Sequence, residues 1–163
     1  MEPKAVRESS ATLIRWMDIT DANLAGFVHG GTVMRLCDEA AAIAASKHSR
    51  RRTVTAGVDR LTFLDPVRVG ELLCCKAQVN AVWRTSMEVG VRVEAENPLT
   101  GEVRHTSTAY LTMVAIDDEG RPAPAPPLLS ETEIEQRRRR EAELRRRNRL
   151  SEREQILADR RPS

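Results

Sequence analysis

The sequence predicts an α+β fold in which one curved antiparallel sheet wraps around a single long helix. Three observations point to it. The stretch from Thr32 to Lys47 is apolar nearly all the way round, so the helix it forms must be covered on most sides. Strand-like segments then follow in succession, and the later ones are joined by turns short enough to require antiparallel hairpins. The length, 163 residues, suits one domain with a real core and does not comfortably suit two.

Taken in order, Ala5 to Ile19 is expected as a first strand, with Leu13, Ile14, Trp16 and Met17 as its apolar bulk. Asp21 to Gly31 is a loop. The helix Thr32 to Lys47 follows, with Lys47, His48 and Arg50 to Arg52 placing cations at its C-terminal end, where the helix dipole favours them. Four strands come next: Thr53 to Phe63, Glu71 to Trp83, Met87 to Glu96 and Val103 to Ile116. The third alternates strictly, Met87, Val89, Val91, Val93 and Ala95 inward against Glu88, Arg92, Glu94 and Glu96 outward. A sheet curved around a central helix buries that helix most economically, and this architecture is the hotdog fold. It leaves one helix face and the sheet edges under-covered in a single chain, so dimerisation is expected. The hotdog domain is assigned to residues 1–118, a Pro-rich extended connector to 119–129, and a charged C-terminal helix and tail to 130–163. Ser130-Glu131-Thr132-Glu133 fits a capping box, and Glu133/Arg137, Glu135/Arg139, Glu141/Arg145 and Glu143/Arg147 are i,i+4 pairs.

Charge narrows the function classes. Residues 1–130 hold 15 Lys and Arg against 16 Asp and Glu, so the formal net charge of +2 comes from the tail. A folded domain built to grip nucleic acid or an anionic membrane would carry its own basic excess. Three cysteines, Cys37, Cys74 and Cys75, without a CxxC, suit a reducing compartment and neither a disulfide framework nor a zinc site. No apolar run has the length of a membrane span and the first residues do not read as a signal peptide, so a soluble cytoplasmic protein is expected. No metal site is expected. The arginine runs at 137–140 and 145–147 read first as a solvated helix, next as a clamp for a ligand phosphate, and last as a nucleic-acid arm.

The chemistry concentrates between Asp18 and Glu39. Asn23 sits in the loop before His29-Gly30-Gly31, where glycines let backbone amides approach a ligand and a helix N-terminus favours negative charge. Asp38 lies on the helix face of Gly31, Met34, Ala41 and Ala45, where burying an ionised carboxylate is costly unless it is hydrogen-bonded or at work. Glu39, one turn from Arg35, reads as half of a surface pair. His29 is expected to bind ligand or shape the loop, since no acid nearby in sequence orients it as a base. His48 and His105 are expected to be structural. Asn23 alone would pass for an ordinary turn residue.

Asn-x-x-Gly-x-x-His-Gly-Gly with Asp38 seven residues on, Val54-Thr55-Ala56-Gly57-Val58-Asp59, Phe63, Gly70-Glu71 and Thr85-Ser86-Met87-Glu88-Val89 together resemble the hotdog-fold acyl-CoA thioesterases. The likeness runs over roughly residues 12 to 150 and is greatest to the cytosolic acyl-CoA hydrolase branch with its bacterial YciA type. The resemblance implies acyl-CoA hydrolysis to a carboxylic acid and free coenzyme A, at sites completed by Asn23 of one hotdog unit and Asp38 of the other. It implies that amides at Gly30 and Gly31 polarise the thioester carbonyl. Coenzyme A would lie along Ala56, Gly57 and Val58 and the turn of Thr85, Ser86 and Met87, with Arg145 meeting a phosphate. Coenzyme A belongs to substrate and product, and no other cofactor is implied. Animal members carry two hotdog units in tandem, so this one-unit chain would form a homodimer, and a trimer of such dimers is common in the family. The main alternative is a non-catalytic acyl-CoA-binding hotdog module. Hydratase chemistry on the same fold would want an Asp paired with a His at the site.

Overall fold

The computed structural model describes residues 1–160; the last three residues of the expected tail, 161–163, lie outside the described residues. The chain runs β1 (Lys4–Ala5), β2 (Ala11–Trp16), α1 (Gly30–Ser49), β3 (Arg52–Phe63), β4 (Leu72–Val82), β5 (Ser86–Glu96), β6 (Val103–Ile116), β7 (Leu128–Leu129) and α2 (Glu133–Asp159). Strands β2, β4, β5, β6 and β3 form, in that order, one five-stranded sheet in which every neighbouring pair is antiparallel. The hotdog architecture is therefore present.

The core lies between α1 and the inner sheet face. Leu73, Cys75, Ala77 and Val79 of β4, the inward series Met87 to Ala95 of β5, and Ala109, Leu111, Met113 and Ala115 of β6 are buried against Val33, Leu36, Cys37 and the alanines 40, 41, 44 and 45 of α1. Small alanines on one helix face let the sheet backbone close in, so a core with almost no aromatics still packs.

Three boundaries differ from expectation. The first strand is not continuous from Ala5: a 3-10 turn at Val6–Glu8 and another at Ile19–Asp21 bracket the six residues of β2. Side chains redirect the backbone there, Glu8 accepting from the Ala5 amide at 2.6 Å and Asp18 from the Thr20 amide at 2.7 Å. Helix α1 starts two residues early and ends at Arg50, which takes the left-handed conformation at φ 54°. Helix α2 is capped by Thr132, not Ser130; the Thr132 side chain accepts from the Glu135 amide while the Glu135 carboxylate returns to the Thr132 amide at 3.1 Å.

Helix α2 is not simply solvated. It lies on the outer sheet face through polar contacts: Arg138 donates to Gln78 at 2.7 Å, Arg145 to Glu88 at 3.0 and 2.7 Å, and Arg149 to Asp59 at 2.6 Å. Ala142 is its one buried residue. The i,i+4 pairs that form are Arg137–Glu141 and Arg139–Glu143, in the opposite order to that expected; Arg145 is drawn inward to Glu88 and the Glu135 carboxylate is taken up by the cap. Gly90 belongs to this layer. A Cβ there would stand 2.6 Å from Asn80 Nδ2, which donates to Glu88 at 3.1 Å. The proline-rich segment runs extended and is packed, with Ala123, Ala125 and Leu128 buried and β7 paired in parallel with β1.

Candidate active site

Loop residues Asp21 to His29 are tied into a compact entry to α1. The Val28 amide donates to Val67 at 2.8 Å and the His29 amide to Asp21 at 2.7 Å. Within this loop the Asn23 side-chain oxygen accepts from the Ala25 amide at 2.9 Å and the Phe27 amide at 3.3 Å. Asn23 is thus an exposed turn former whose oxygen is occupied and whose Nδ2 has no hydrogen-bond partner among the described residues.

His29 caps α1, its Nδ1 accepting from the Gly31 amide at 3.0 Å. Of the two helix-start amides expected to face a ligand, Gly31 is therefore engaged by the cap. Gly30 has no acceptor among the described residues, and the Phe63 ring stands over it, 3.3 Å from where a Cβ would be. A side chain at position 30 would press on that ring.

Asp38 is half-buried rather than buried, a correction with a clear cause. Its helix face is partly uncovered in the single chain, where neighbouring Met34 is 46% exposed while Ala41 and Ala45 are buried. Its Oδ1 accepts a hydrogen bond from Thr55 Oγ1 on β3. Thr55 also contacts Met113 Sδ at 3.6 Å and pairs with Met113 in the sheet, so it points to the α1 side of β3. Sequence reasoning missed Thr55 although it read the segment around it. The available signal was strand alternation, which sets a hydroxyl on the inner face, toward Asp38. Glu39 forms the expected surface pair with Arg35 at 3.1 Å.

The other expected site residues fall into two groups. Ala56 and Gly57 sit where the β3–β6 register shifts, so β3 bulges just beyond Thr55, and Val58 follows. Val58 and Arg145 line one cleft of about 560 Å³ between β3 and α2, together with Asp59, Arg60, Tyr110 and Arg149. Ser86 is half-buried at the start of β5, but Met87 is fully buried in the core, so its side chain is closed to a ligand; Thr85 accepts from the Ala115 amide through its carbonyl. The Arg145 guanidinium lies 3.6 Å from the Tyr110 ring centroid and is held by Glu88, which is 1% exposed. Beside it Arg146 stacks over Trp83 at 4.3 Å.

His48 and His105 are structural. His48 is buried with Nε2 2.9 Å from the Pro126 carbonyl, and burial holds its pKa below the ordinary value. His105 Nε2 lies 2.8 Å from Thr108 Oγ1. Among the described residues no group of three His, Cys, Asp or Glu could hold a metal ion, and no helix is long and apolar enough to cross a membrane.

The thioesterase superfamily model matches residues 25–102, the span from the Asn23 loop through β5. A solved structure described as an apo-hexameric acyl-CoA thioesterase is 38% identical, with a TM-score of 0.90 over 93% of this chain and 97% of its own. The chain belongs to the thioesterase superfamily. The cytosolic acyl coenzyme A thioester hydrolase of Rattus norvegicus is 37% identical over 84% of this chain, which spans only 36% of that relative's length. Within the superfamily, the acyl-CoA hydrolase of Staphylococcus aureus, solved with butyryl coenzyme A, coenzyme A and coenzyme A disulfide, is 34% identical over 95% of this chain and 96% of its own, TM-score 0.85. Variants of that hydrolase have been solved with alanine replacing an Asn, an Asp 15 residues after it and a Thr 17 residues after that.

Proposed function

We propose that the chain hydrolyses acyl-CoA thioesters, water and acyl-CoA giving a carboxylic acid and free coenzyme A. The observation that carries this reading is Asp38: a half-exposed carboxylate on a partly uncovered helix face, oriented by Thr55. Asn23, Asp38 and Thr55 repeat the 15- and 17-residue spacing of the three residues replaced in the Staphylococcus aureus hydrolase. Asp38 supplies the carboxylate, as general base toward water or as nucleophile at the carbonyl carbon. Both routes need it within about 3.5 Å of the atom it acts on. The Gly30 amide and the Asn23 Nδ2 are donors for the developing oxyanion.

Helix geometry favours a site built from two chains. Asp38 follows Gly30 by eight residues, about 12 Å along the axis at 1.5 Å per residue. One thioester does not bridge that gap, whereas an antiparallel copy of α1 brings its own start, with Asn23, to the Asp38 of its neighbour. The partner surface in this reading is the exposed face of α1 with the apolar edge of β3, where Val54, Val58 and Phe63 stand out. A closed hexamer needs a second, different contact. The opposite edge, with Ile14 and Trp16 of β2 exposed beside Ile19 and Leu24, is the surface for it, in keeping with the hexameric relative. The reading extends to a cytoplasmic location, which the name of the rat relative supports.

A thiol-reactive dye assay tests the proposal. Wild-type protein is expected to release free thiol from acyl-CoA, and Asp38→Ala to lower the rate by on the order of 10³-fold with fold and assembly intact. Tight acyl-CoA binding without thiol release by wild type would replace hydrolysis with the binding-module reading.

A further inference from the structure

The cleft between β3 and α2 contains one cation that the fold does not use. Arg145 is committed to Glu88 and the Tyr110 ring, and Arg149 to Asp59 at 2.6 Å. Arg60 lines the same cleft, and among the described residues it has no carboxylate within 4.0 Å and no side-chain hydrogen bond. Glu152 stands on the α2 side of the cleft, so an anion there settles toward the strand, where Arg60 is.

The backbone at Arg60 is also unusual. Its φ is +26°, a region that side-chain-bearing residues rarely adopt, and it falls inside the second register shift of β3, between Asp59 and Thr62. Strain of this kind persists where the surroundings impose it, and it gathers at ligand sites. A glycine would meet the backbone requirement without cost; an arginine adds a guanidinium at the cleft. The position also matches the substrate. Arg60 lies five residues beyond Thr55, the residue bonded to Asp38, at most about 16 Å away along the bulged strand. Acyl-CoA likewise separates its thioester from its phosphates by an extended pantetheine arm.

Resting on the hydrolase reading above, we infer that Arg60 is the phosphate contact of this cleft, with Arg145 and Arg149 serving to hold α2 on the sheet. The role of Arg60 is binding, so it acts through KM.

The test compares wild type, Arg60→Gly and Arg60→Lys on three thioesters of one acyl group: the CoA, dephospho-CoA and pantetheine forms. Glycine suits the positive φ, so a loss in that variant reports the guanidinium and not the backbone. The ratio of kcat/KM for the CoA form over the pantetheine form is expected to fall about tenfold in Arg60→Gly, through KM, and to recover in part in Arg60→Lys. The dephospho-CoA form tells the ribose phosphate from the pyrophosphate as the group contacted. An unchanged ratio, or an equal loss on all three forms, overturns the inference. If wild type hydrolyses none of them, the hydrolase reading fails by itself, and calorimetry with free coenzyme A decides for Arg60. Binding weakened about tenfold in Arg60→Gly keeps the assignment, while equal binding, or none by wild type, ends it.

Discussion

At the scale of single residues, the proposed site is a carboxylate with a partner. The Thr55 hydroxyl fixes one oxygen of Asp38 and leaves the other for chemistry. Thr55→Val keeps the shape and removes the donor, so kcat is expected to fall by about one to two orders of magnitude with KM little changed, whereas Thr55→Ser should retain most turnover. Steady-state kinetics on both variants, with circular dichroism as the control for folding, checks this. The second informative residue is Glu88. Its carboxylate is buried beneath α2 and takes Arg145 in two hydrogen bonds and Asn80 in a third. Glu88→Gln leaves the Arg145 guanidinium without its counter-charge and is expected to cost about 3 kcal/mol, read by denaturant unfolding. Gln78 and Asn80 extend the same layer, so a double-mutant cycle with Arg145 separates the pair from its surroundings.

At the scale of elements, helix α1 joins site and scaffold. Its N-terminal end carries the His29 cap and the Gly30 amide, and its C-terminal end is anchored by buried His48, with Nε2 at the Pro126 carbonyl and Nδ1 3.4 Å from Ser9 Oγ. Burial lowers the His48 pKa, with the Lys4 charge adding to it and the Pro126 contact and Glu8 opposing. The unfolded chain therefore takes up the proton first as pH falls. Stability contributed by neutral His48 is complete above the ordinary value of 6.5 and is lost as pH drops from there toward the lower folded value. The slope is at most about 1.4 kcal/mol per pH unit. His48→Gln should flatten that part of the stability profile between pH 7 and 5, measured by thermal or denaturant melts.

The same elements explain what was legible beforehand. Strand β6 ran as expected from Val103 to Ile116 and the alternation of β5 held, because a half-buried strand writes its two faces into every second residue. Helix α1 was legible from its alanine-rich face. The breaks around β2 were not, since they depend on the Glu8 and Asp18 side chains competing locally for backbone amides. The docking of α2 was hidden for a different reason. Arginines every three to four residues look the same on a solvated helix as on one whose carboxylate partners lie on distant strands. Of the site, Asp38 and the loop were readable as oddities of pattern, while Thr55 became visible only when β3 and α1 were set side by side.

At the scale of the whole molecule, the chain presents two separate apolar surfaces, and half of the proposed site lies across one of them. Ile43, 43% exposed on α1 five residues beyond Asp38, stands clear of the core. Ile43→Arg is expected to yield folded monomers by sedimentation and to lose turnover with the partner, since each Asp38 is then separated from the neighbouring loop. The sharing of the site by two chains has a more direct measurement. Asn23→Ala and Asp38→Ala are purified separately, each nearly inactive, and mixed one to one under conditions that exchange subunits. Random pairing makes half of the dimers mixed, each with one intact site of two, so activity should rise to about one quarter of wild type. A mixture that exchanges subunits and stays as inactive as its two parents would contradict a site shared between chains.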